Sequence, residues 1–503
     1  MTSLIERARR NTVGDALRRT ARRERNCTAL QFDDRSWSFA DIDAAADRLA
    51  MHFARLGLRP GDRVAAYARN SDTYFLAWLG CIRGGFVHVP VNYALTGEEL
   101  AYILRQSGAR LALVAESLEA HISGIPIEFR ERMEDLLVIA RDPEAPVGTE
   151  PPLDNDALAQ IVYTSGTTAA PKGAMMTHGA MLAQYYSSIH NMEYAAADRA
   201  LAALPLYHTA QMHAFTMPQL LVGARTILIE APAPARVLQL IEQERITSFF
   251  APPTVWISLL RHPDFDSRDL SSLEKVYYGA SIMPVPVLQE LRQRLSKARP
   301  FNAYGQTEIA PVATILRPEE HEARPASCGR PVLNVETRVV DPDMNDVPPG
   351  THGEVVHRSP QLLTGYWEKP EETAAAFTGG WFHSGDVGYF DEEGYLYIVD
   401  RIRDVINTGG VLVASREVEE VLFTHPTVSE VAVVGLPDEK WIEAVTAFVV
   451  LREGQDADEA ELIAHARPHL ASFKLPKRII FVDTLPRNTA GKLLKRELRR
   501  NYG

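Results

Sequence analysis

From position 63 to 115 short apolar segments alternate with amphipathic helical patterns, in the order 63–68, 73–83, 86–91, 97–106 and 111–115, the first, third and last reading as strands. Strands separated by helices return to the same sheet edge and lie parallel, and a parallel sheet must be covered on both faces. A similar order of helix, glycine, strand, proline-bearing loop, helix and strand recurs over 209–252, with TILIE and TSFFAPP as its strands. The expected fold is therefore α/β, with two related parallel-sheet subdomains. With 503 residues the chain exceeds what one hydrophobic core spans, so two or more domains are expected.

The connection between the subdomains, ARDPEAPVGTEPPLDNDA, is rich in proline and acid and reads as surface chain. After Gly350 the pattern changes to short strands with turn signals, GEVVHRS and GYLYIVD, as in a smaller β-rich part. From about Asp404 it becomes mixed again and ends in a basic tail over 492–500. The expected division is 1–400 as a large N-terminal part, 401–403 as a hinge and 404–503 as a small, mobile α+β C-terminal domain.

A net charge of -12 argues against a nucleic-acid partner, which would demand a basic surface. Cys27, Cys81 and Cys328 show no metal or redox spacing and suit a reducing cytosol, so a cytoplasmic location is expected. The Arg-rich start is interrupted by Glu6, Asp15 and Glu24, no apolar signal core follows, and Val13, Ala16, Leu17, Thr20 and Ala21 fall at helical spacing, as in a docked amphipathic helix. The longest apolar stretch, near 74–91, is broken by Arg83, Gly84 and Gly85, too short to span a membrane.

The segment YTSGTTAAPKG, from Tyr163 to Gly173, packs hydroxyl residues, glycine and one lysine between an apolar strand and a segment that reads as helical. Small residues let backbone N–H groups approach phosphates, hydroxyls add donors, and Lys172 brings a compact cation. It is not a Walker A loop, because Pro171 and Gly173 stand where that motif needs Gly and Ser or Thr. Read alone, it favours the phosphate-binding reading over that of an ordinary Ser/Thr/Gly surface loop.

Five further segments follow in order: PLYHTAQ at 205–211, YGQTE at 304–308, WFHSGD at 381–386, DRIRD at 400–404 and PRNTAGK at 486–492. With the phosphate loop they make the chain resemble the adenylate-forming superfamily of acyl-CoA synthetases, luciferases and peptide-synthetase adenylation domains. The resemblance implies ATP, Mg²⁺ and coenzyme A as reactants. A carboxylate attacks the α-phosphorus of ATP, pyrophosphate leaves, and the coenzyme A thiol then takes the acyl group from the adenylate. It places Thr164, Ser165, Gly166, Thr167, Thr168 and Lys172 at the phosphates. Gly279, Ala280, Ser281, Asn302, Tyr304 and Gly305 fall around the adenine, and Asp386 and Arg401 at the ribose. Glu308 becomes the magnesium ligand, Thr307 touches the α-phosphate, His208 positions the acid, and Lys492 spans the carboxylate and the α-phosphate. Arg403 matches the hinge, where the family usually has Asp or Lys, and Ala169 stands where it usually has Gly.

The residues carry part of this chemistry unaided: Glu308 offers a hard oxygen ligand and Asp386 a partner for two hydroxyls. His208 alone is more often structural, Lys492 alone more often solvated, and His213 lacks the companions a zinc site needs. The segment 209–221 contains no ionised side chain but offers Met212, Phe215 and Met217. With His208, Trp256 and Gly279, Met212 and Phe215 form the expected acyl pocket, which favours an apolar acid, fatty, aromatic or polycyclic. Each of these is about as well explained as core. The expected coenzyme A channel comprises Gly409, Gly410, Val411, Trp441 and Ile442. It departs from the family pattern at Val411, Leu412, Ala414 and Ser415, the last standing where a proline is usual, and at Ile442, where glycine is common. Added bulk there would favour adenylation over thioester formation. Alternatives are an acyl-adenylate ligase serving a carrier protein or partner enzyme, and a silent nucleotide-binding module; a homodimer is the expected assembly if the chain is not a monomer.

Overall fold

The computed structural model describes residues 4–148, 151–164, 170–281, 283–402, 404–409, 411–438, 440–489 and 493–503. A six-stranded sheet runs in the order Phe129–Arg132, Ala109–Val114, Arg63–Tyr67, Val87–Val91, Leu158–Thr164, Lys172–Thr177. All its neighbours are parallel except the last pair. A second, nine-stranded sheet has a parallel centre of Arg299–Gly305, Lys275–Gly279, Ser248–Phe250, Arg199–Ala202, Arg225–Leu228 and Thr28–Phe32. Antiparallel strands close both its edges. The two strands expected in the repeated segment both join this sheet, with Arg199–Ala202 between them. The fold is thus α/β, with two parallel-sheet halves.

Burial explains the apolar runs. Every residue of Val87–Val91 and of Lys275–Gly279 is buried, as a strand covered on both faces requires. Between strands, Asp72–Gly84 forms a helix buried at every position, capped by the Ser71 hydroxyl at one end and stopped by Gly85 at φ +73°. Its Arg83 meets Asp43 and Asp47 at 2.6 and 2.5 Å, and Asp72 takes a bidentate pair from Arg35. The arginine that interrupts the longest apolar stretch is therefore a buried, paired cation. Among the described residues no helix is long and apolar enough to cross a membrane. The N-terminal helix Val13–Arg23 buries Val13, Ala16, Leu17, Thr20 and Ala21, the face its spacing predicts, behind a Thr12–Asp15 capping box.

A four-stranded antiparallel sheet, Glu336–Val340, Gly353–Arg358, Phe382–Phe390 and Leu396–Arg401, follows. The chain ends in a five-stranded sheet built on the long pair Val428–Asp438 and Ile442–Leu451. Helices Ser415–Phe423 and Glu459–Ala466 contribute Val418, Leu422, Leu462 and Ala466 to its core, and Lys495–Tyr502 is the last element.

The nine-stranded sheet also buries an ion pair, Lys275 Nζ lying 2.8 Å from both oxygens of Asp198 and 2.6 Å from the Glu193 carbonyl. Lys275→Met would strand the Asp198 carboxylate, 5% exposed, without its cation. The expected cost is about 3–5 kcal/mol, read as a lower urea midpoint for loss of near-ultraviolet circular dichroism; an unchanged midpoint would show the pair is energetically silent.

Candidate active site

The loop expected to wrap phosphates closes a hairpin. Strand Leu158–Thr164 pairs antiparallel with Lys172–Thr177, Thr164 opposite Lys172. The expectation of a helical segment after the loop is corrected: 173–177 is strand, and the helix begins only at His178. Gly173 permits this close pairing, because a Cβ there would lie 2.6 Å from Ile161 Cγ2. No helix terminus therefore adjoins Lys172 on its C-terminal side. Ser165, Gly166, Thr167, Thr168 and Ala169 lie outside the described residues.

Glu308, 8% exposed, sits in the 3-10 turn Thr307–Ile309 that follows Arg299–Gly305. Its Oε1 accepts from Thr164 Oγ1 and from Tyr366 Oη, both at 3.2 Å. The Lys172 ammonium lies 5.2 Å from the centre of the Tyr366 ring. Lys172, Tyr366, Glu308 and Thr164 thus form one contiguous group, in which all hydrogen bonds to the Glu308 carboxylate among the described residues fall on Oε1. That leaves Oε2 for a hard cation, and one carboxylate with substrate phosphates is an ordinary magnesium donor set. Among the described residues no group of three His, Cys, Asp or Glu forms a metal cage. The hydroxyls of Thr307 and Thr209 are 3.3 Å apart, which brings the turn against the segment after His208.

Tyr304 Oη donates to Asp386 Oδ2 at 2.7 Å, and Arg401 Nε pairs with Asp386 Oδ1 at 2.9 Å. Strand register causes the second contact, since Asp386 faces Arg401 directly across the antiparallel pair. Burial, then the Asp386 charge, pushes the Tyr304 phenol well above its ordinary value, so it stays a neutral donor. At Gly279 a Cβ would meet the Ala303 carbonyl oxygen at 2.2 Å, and at Gly305 that of Pro311 at 2.0 Å. Only glycine fits either place. Ala280 holds φ +62° and is exposed with Ser281, while the Asn302 amide is spent on the Ser327 carbonyl at 2.8 Å.

His208 packs on Tyr207 with ring centres 4.3 Å apart. After it the chain forms a π-helix, Ala210–Thr216, continuing as Met217–Val222 up to Gly223 at φ +97°. The expected acyl-pocket side chains do not converge. Met212, Phe215 and Trp256 are 0%, 2% and 1% exposed and fall in three separate core clusters. Phe215 stacks on Phe250 at 3.9 Å, and Trp256 Nε1 donates to the Tyr277 carbonyl. Core packing claims all three, because apolar composition does not distinguish a pocket wall from a sealed interior.

The PRNTAGK segment reaches the same neighbourhood. Thr489 Oγ1 hydrogen-bonds the Tyr207 hydroxyl and lies 3.3 Å from Asn92 Oδ1. Lys492, three residues on, lies outside the described residues, as do Arg403 and Gly410. The remaining channel residues lie on the five-stranded sheet. Gly409, at φ +65°, donates its N–H to the Trp441 carbonyl; Val411, Leu412 and Ile442 are 45%, 69% and 59% exposed; and the Trp441 ring carries Lys440 and Lys477 at 4.9 and 5.0 Å. Ile442 adopts φ +69°, costly for a β-branched residue where glycine would be free.

Sequence reasoning missed Tyr366, Thr209, Tyr207 and Thr489, and a buried neutral chain of bonds. Tyr185 Oη donates to His213 Nδ1, His213 Nε2 to Gln160 Oε1, and Gln160 Nε2 to His88 Nδ1, at 2.7, 2.8 and 3.0 Å. It ties the π-helix to the strand that leads into the phosphate loop. Burial pushes His88 and His213 down to about 3.

The scan against protein-family models matches the AMP-binding enzyme family over 17–367 and the AMP-binding enzyme C-terminal domain over 417–492. The chain is 37% identical over 495 residues to a feruloyl-CoA synthase of an Amycolatopsis species, covering 96% of this chain and 98% of that protein. It is 33% identical over 487 residues to the indoleacetate–CoA ligase of Aromatoleum aromaticum, covering 94% of each. An anthranilate CoA ligase solved with anthranoyl-AMP superposes with a TM-score of 0.91 at 28% identity, over 98% of this chain and 97% of that one. The chain belongs to the AMP-binding enzyme family. Within that adenylate-forming superfamily it is an acyl-CoA synthetase, an AMP-forming acid–thiol ligase using ATP, Mg²⁺ and coenzyme A.

The two depressed histidines set a pH dependence. An unfolded chain protonates them near 6.5, the folded protein only near 3, so folding releases protons between those values and stability falls as pH drops below about 6.5. His213→Gln is expected to reduce that slope by about 1.4 kcal/mol per pH unit between pH 6 and 4, measured by urea unfolding at several pH values. An unchanged slope would mean His213 protonates freely in the folded state.

Proposed function

We propose that this synthetase acts on an apolar monocarboxylic acid of the aromatic or aryl-alkanoic kind, with Glu308, Lys172 and Asp386 at the nucleotide and His208 positioning the acid. The observation that carries the nucleotide assignment is the convergence of Thr164 and Tyr366 on Glu308 Oε1, with Lys172 against the Tyr366 ring and no hydrogen bond to Oε2 among the described residues. Magnesium there would neutralise phosphate charge. Lys172 would hold phosphate oxygens, Thr307 would donate to the α-phosphate, and the Asp386 carboxylate, aligned by Arg401 and Tyr304, would accept from ribose hydroxyls. Ser165 to Thr168 belong to the same phosphate loop, with Gly279 to Ser281, Asn302 and Gly305 as the backbone wall at the base.

Support for an apolar acid is electrostatic. No residue of 209–222 carries a fixed charge, and burial keeps His213 neutral, so this segment offers no counter-ion to a second carboxylate or an α-ammonium. Feruloyl-CoA synthase and indoleacetate–CoA ligase, the relatives at 37% and 33% identity, bear names of aromatic acids. Pyrophosphate exchange is expected with ferulate or indoleacetate at rates about two orders of magnitude above malonate and the common amino acids. Strong exchange with malonate or an amino acid would overturn the reading.

Division into 1–400, a hinge at 401–403 and 404–503 completes the proposal. The smaller part first presents the PRNTAGK loop to the acid, then turns to offer the face bearing Gly409, Val411, Trp441 and Ile442 to coenzyme A. Docking of Thr489 on Tyr207 supports the first arrangement, because Thr489 belongs to the PRNTAGK segment and Tyr207 is the neighbour of His208. Lys492→Ala should lower adenylate formation by about 10²–10³-fold while thioester formation from preformed acyl-adenylate stays within about twofold. Equal losses in both half-reactions would remove the assignment.

A further inference from the structure

Ser415 opens the helix Ser415–Phe423, and two of its groups point at one carboxylate oxygen. Its N–H and its Oγ–H both donate to Asp400 Oδ2, at 2.7 and 2.6 Å. Behind it, Lys495 Nζ donates to Ser415 Oγ at 2.5 Å and pairs with Glu419 at 2.7 Å. The other Asp400 oxygen accepts the Arg401 N–H at 2.8 Å. Asp400 is 7% exposed and Ser415 fully buried, so these bonds are shielded from water. Burial works against the Lys495 ammonium, yet the carboxylates of Glu419 and Asp400 outweigh it and hold its pKa above the ordinary lysine value.

The arrangement replaces a missing cap. Ala414, at the N-cap, supplies no side-chain bond to the helix, and Asp400 takes the first-turn N–H from outside. Asp400 belongs to Leu396–Arg401, held in register to Phe382–Phe390 through the pair Asp386 and Arg401. Ser415 and Lys495 belong to helices that pack on the five-stranded sheet. Residues 401–403 lie between them. One further link crosses the same span, from the Arg416 guanidinium to the Ile398 carbonyl. Proline at 415 would have neither an N–H nor a hydroxyl and could make neither bond to Asp400.

We propose that Asp400, Ser415 and Lys495 are positioning residues that clamp the C-terminal part in the adenylate-forming orientation, and that the clamp must open before the coenzyme A thiol is served. The inference rests on the two-orientation reading above. A rotation at 401–403 carries Ser415 away from Asp400 and leaves both ends of a charge-assisted bond to be resolvated. Acyl-adenylate therefore forms faster than it is passed on, and the serine at 415 slows the transfer.

The test separates orientation from chemistry. Nitroxide labels at Ala235→Cys and Glu453→Cys, both exposed positions, in a Cys27→Ser background report the distance between the two parts by double electron–electron resonance, in the full-length protein with no acid present. The parent should give one dominant distance. Ser415→Pro and Asp400→Asn should each raise a second population about tenfold, the worth of one charge-assisted hydrogen bond. The same variants should speed coenzyme A thioester formation from feruloyl-adenylate relative to pyrophosphate exchange, and Ser415→Ala, which keeps the N–H, should fall between Ser415→Pro and the parent. Proline is tolerated in the first turn of a helix, so Ser415→Pro should fold; Ser415→Ala serves if it does not. Unchanged distance distributions in every folded variant, or both half-reactions scaling together, would overturn the clamp. Absence of exchange with every acid would instead overturn the proposed substrate reading, while the distances still judge the clamp.

Discussion

One carboxylate oxygen, Glu308 Oε1, is where three segments that fold apart in sequence are made to meet. Thr164 comes from the six-stranded sheet, Glu308 from a turn of the nine-stranded one, and Tyr366 from the connection between Gly353–Arg358 and Phe382–Phe390 of the four-stranded one. Backbone bonds hold the meeting point: Leu363 donates to the Glu308 carbonyl, Thr364 to Met175, Met175 back to Gly365, and Trp367 to Gly173. Segment 363–367 therefore laces the hairpin of the phosphate loop to the turn that carries the carboxylate. Without the two hydroxyls, a carboxylate 8% exposed would have only a cation to offset its lost hydration. Loop, turn and carboxylate stand or fall together.

The fold was legible because its parallel strands are buried on both faces. Such strands read as unbroken apolar runs, and the helices between them carry caps and glycine stops at their ends. Less legible was the segment after the phosphate loop. GAMMT is short and apolar, its helical and extended readings are equivalent by pattern, and only pairing with Leu158–Thr164 decides. Sheet order was hidden for the same reason. Nothing local to Arg225–Leu228 or Ser248–Phe250 says that Arg199–Ala202 inserts between them.

At the candidate site, motif residues were visible and their partners were not. Glu308 stands in a recognisable string, whereas Tyr366 lies 58 positions away in a stretch with no motif. Apolar residues misled in the opposite direction. Met212, Phe215 and Trp256 have the composition of a pocket and the burial of a core, and only neighbouring side chains separate the two. His213 shows the same limit in polar form. Its sequence context offers no companions for a metal site and shows no other role, yet both ring nitrogens are occupied, one accepting from Tyr185 and one donating to Gln160. That bonding fixes a neutral tautomer and excludes it from ligation.

Residues 400 and 401 join these two kinds of information. Successive side chains of a strand point to opposite faces, so Arg401 turns toward Asp386 and Tyr304 while Asp400 turns toward Ser415 and Lys495. One peptide bond separates the pair proposed to align the ribose partner from the pair proposed to hold the C-terminal part. The Arg401 N–H also donates to Asp400, so the two carboxylates are braced through one residue. On the proposed reading, a nucleotide drawing on Asp386 would compete with Arg401 for its oxygens, and Arg401 is bonded through its N–H to the Asp400 acceptor next to it. The proposed ribose partner and the proposed clamp thus sit on adjacent positions of one strand, and a coupling between them would need no longer path through the core.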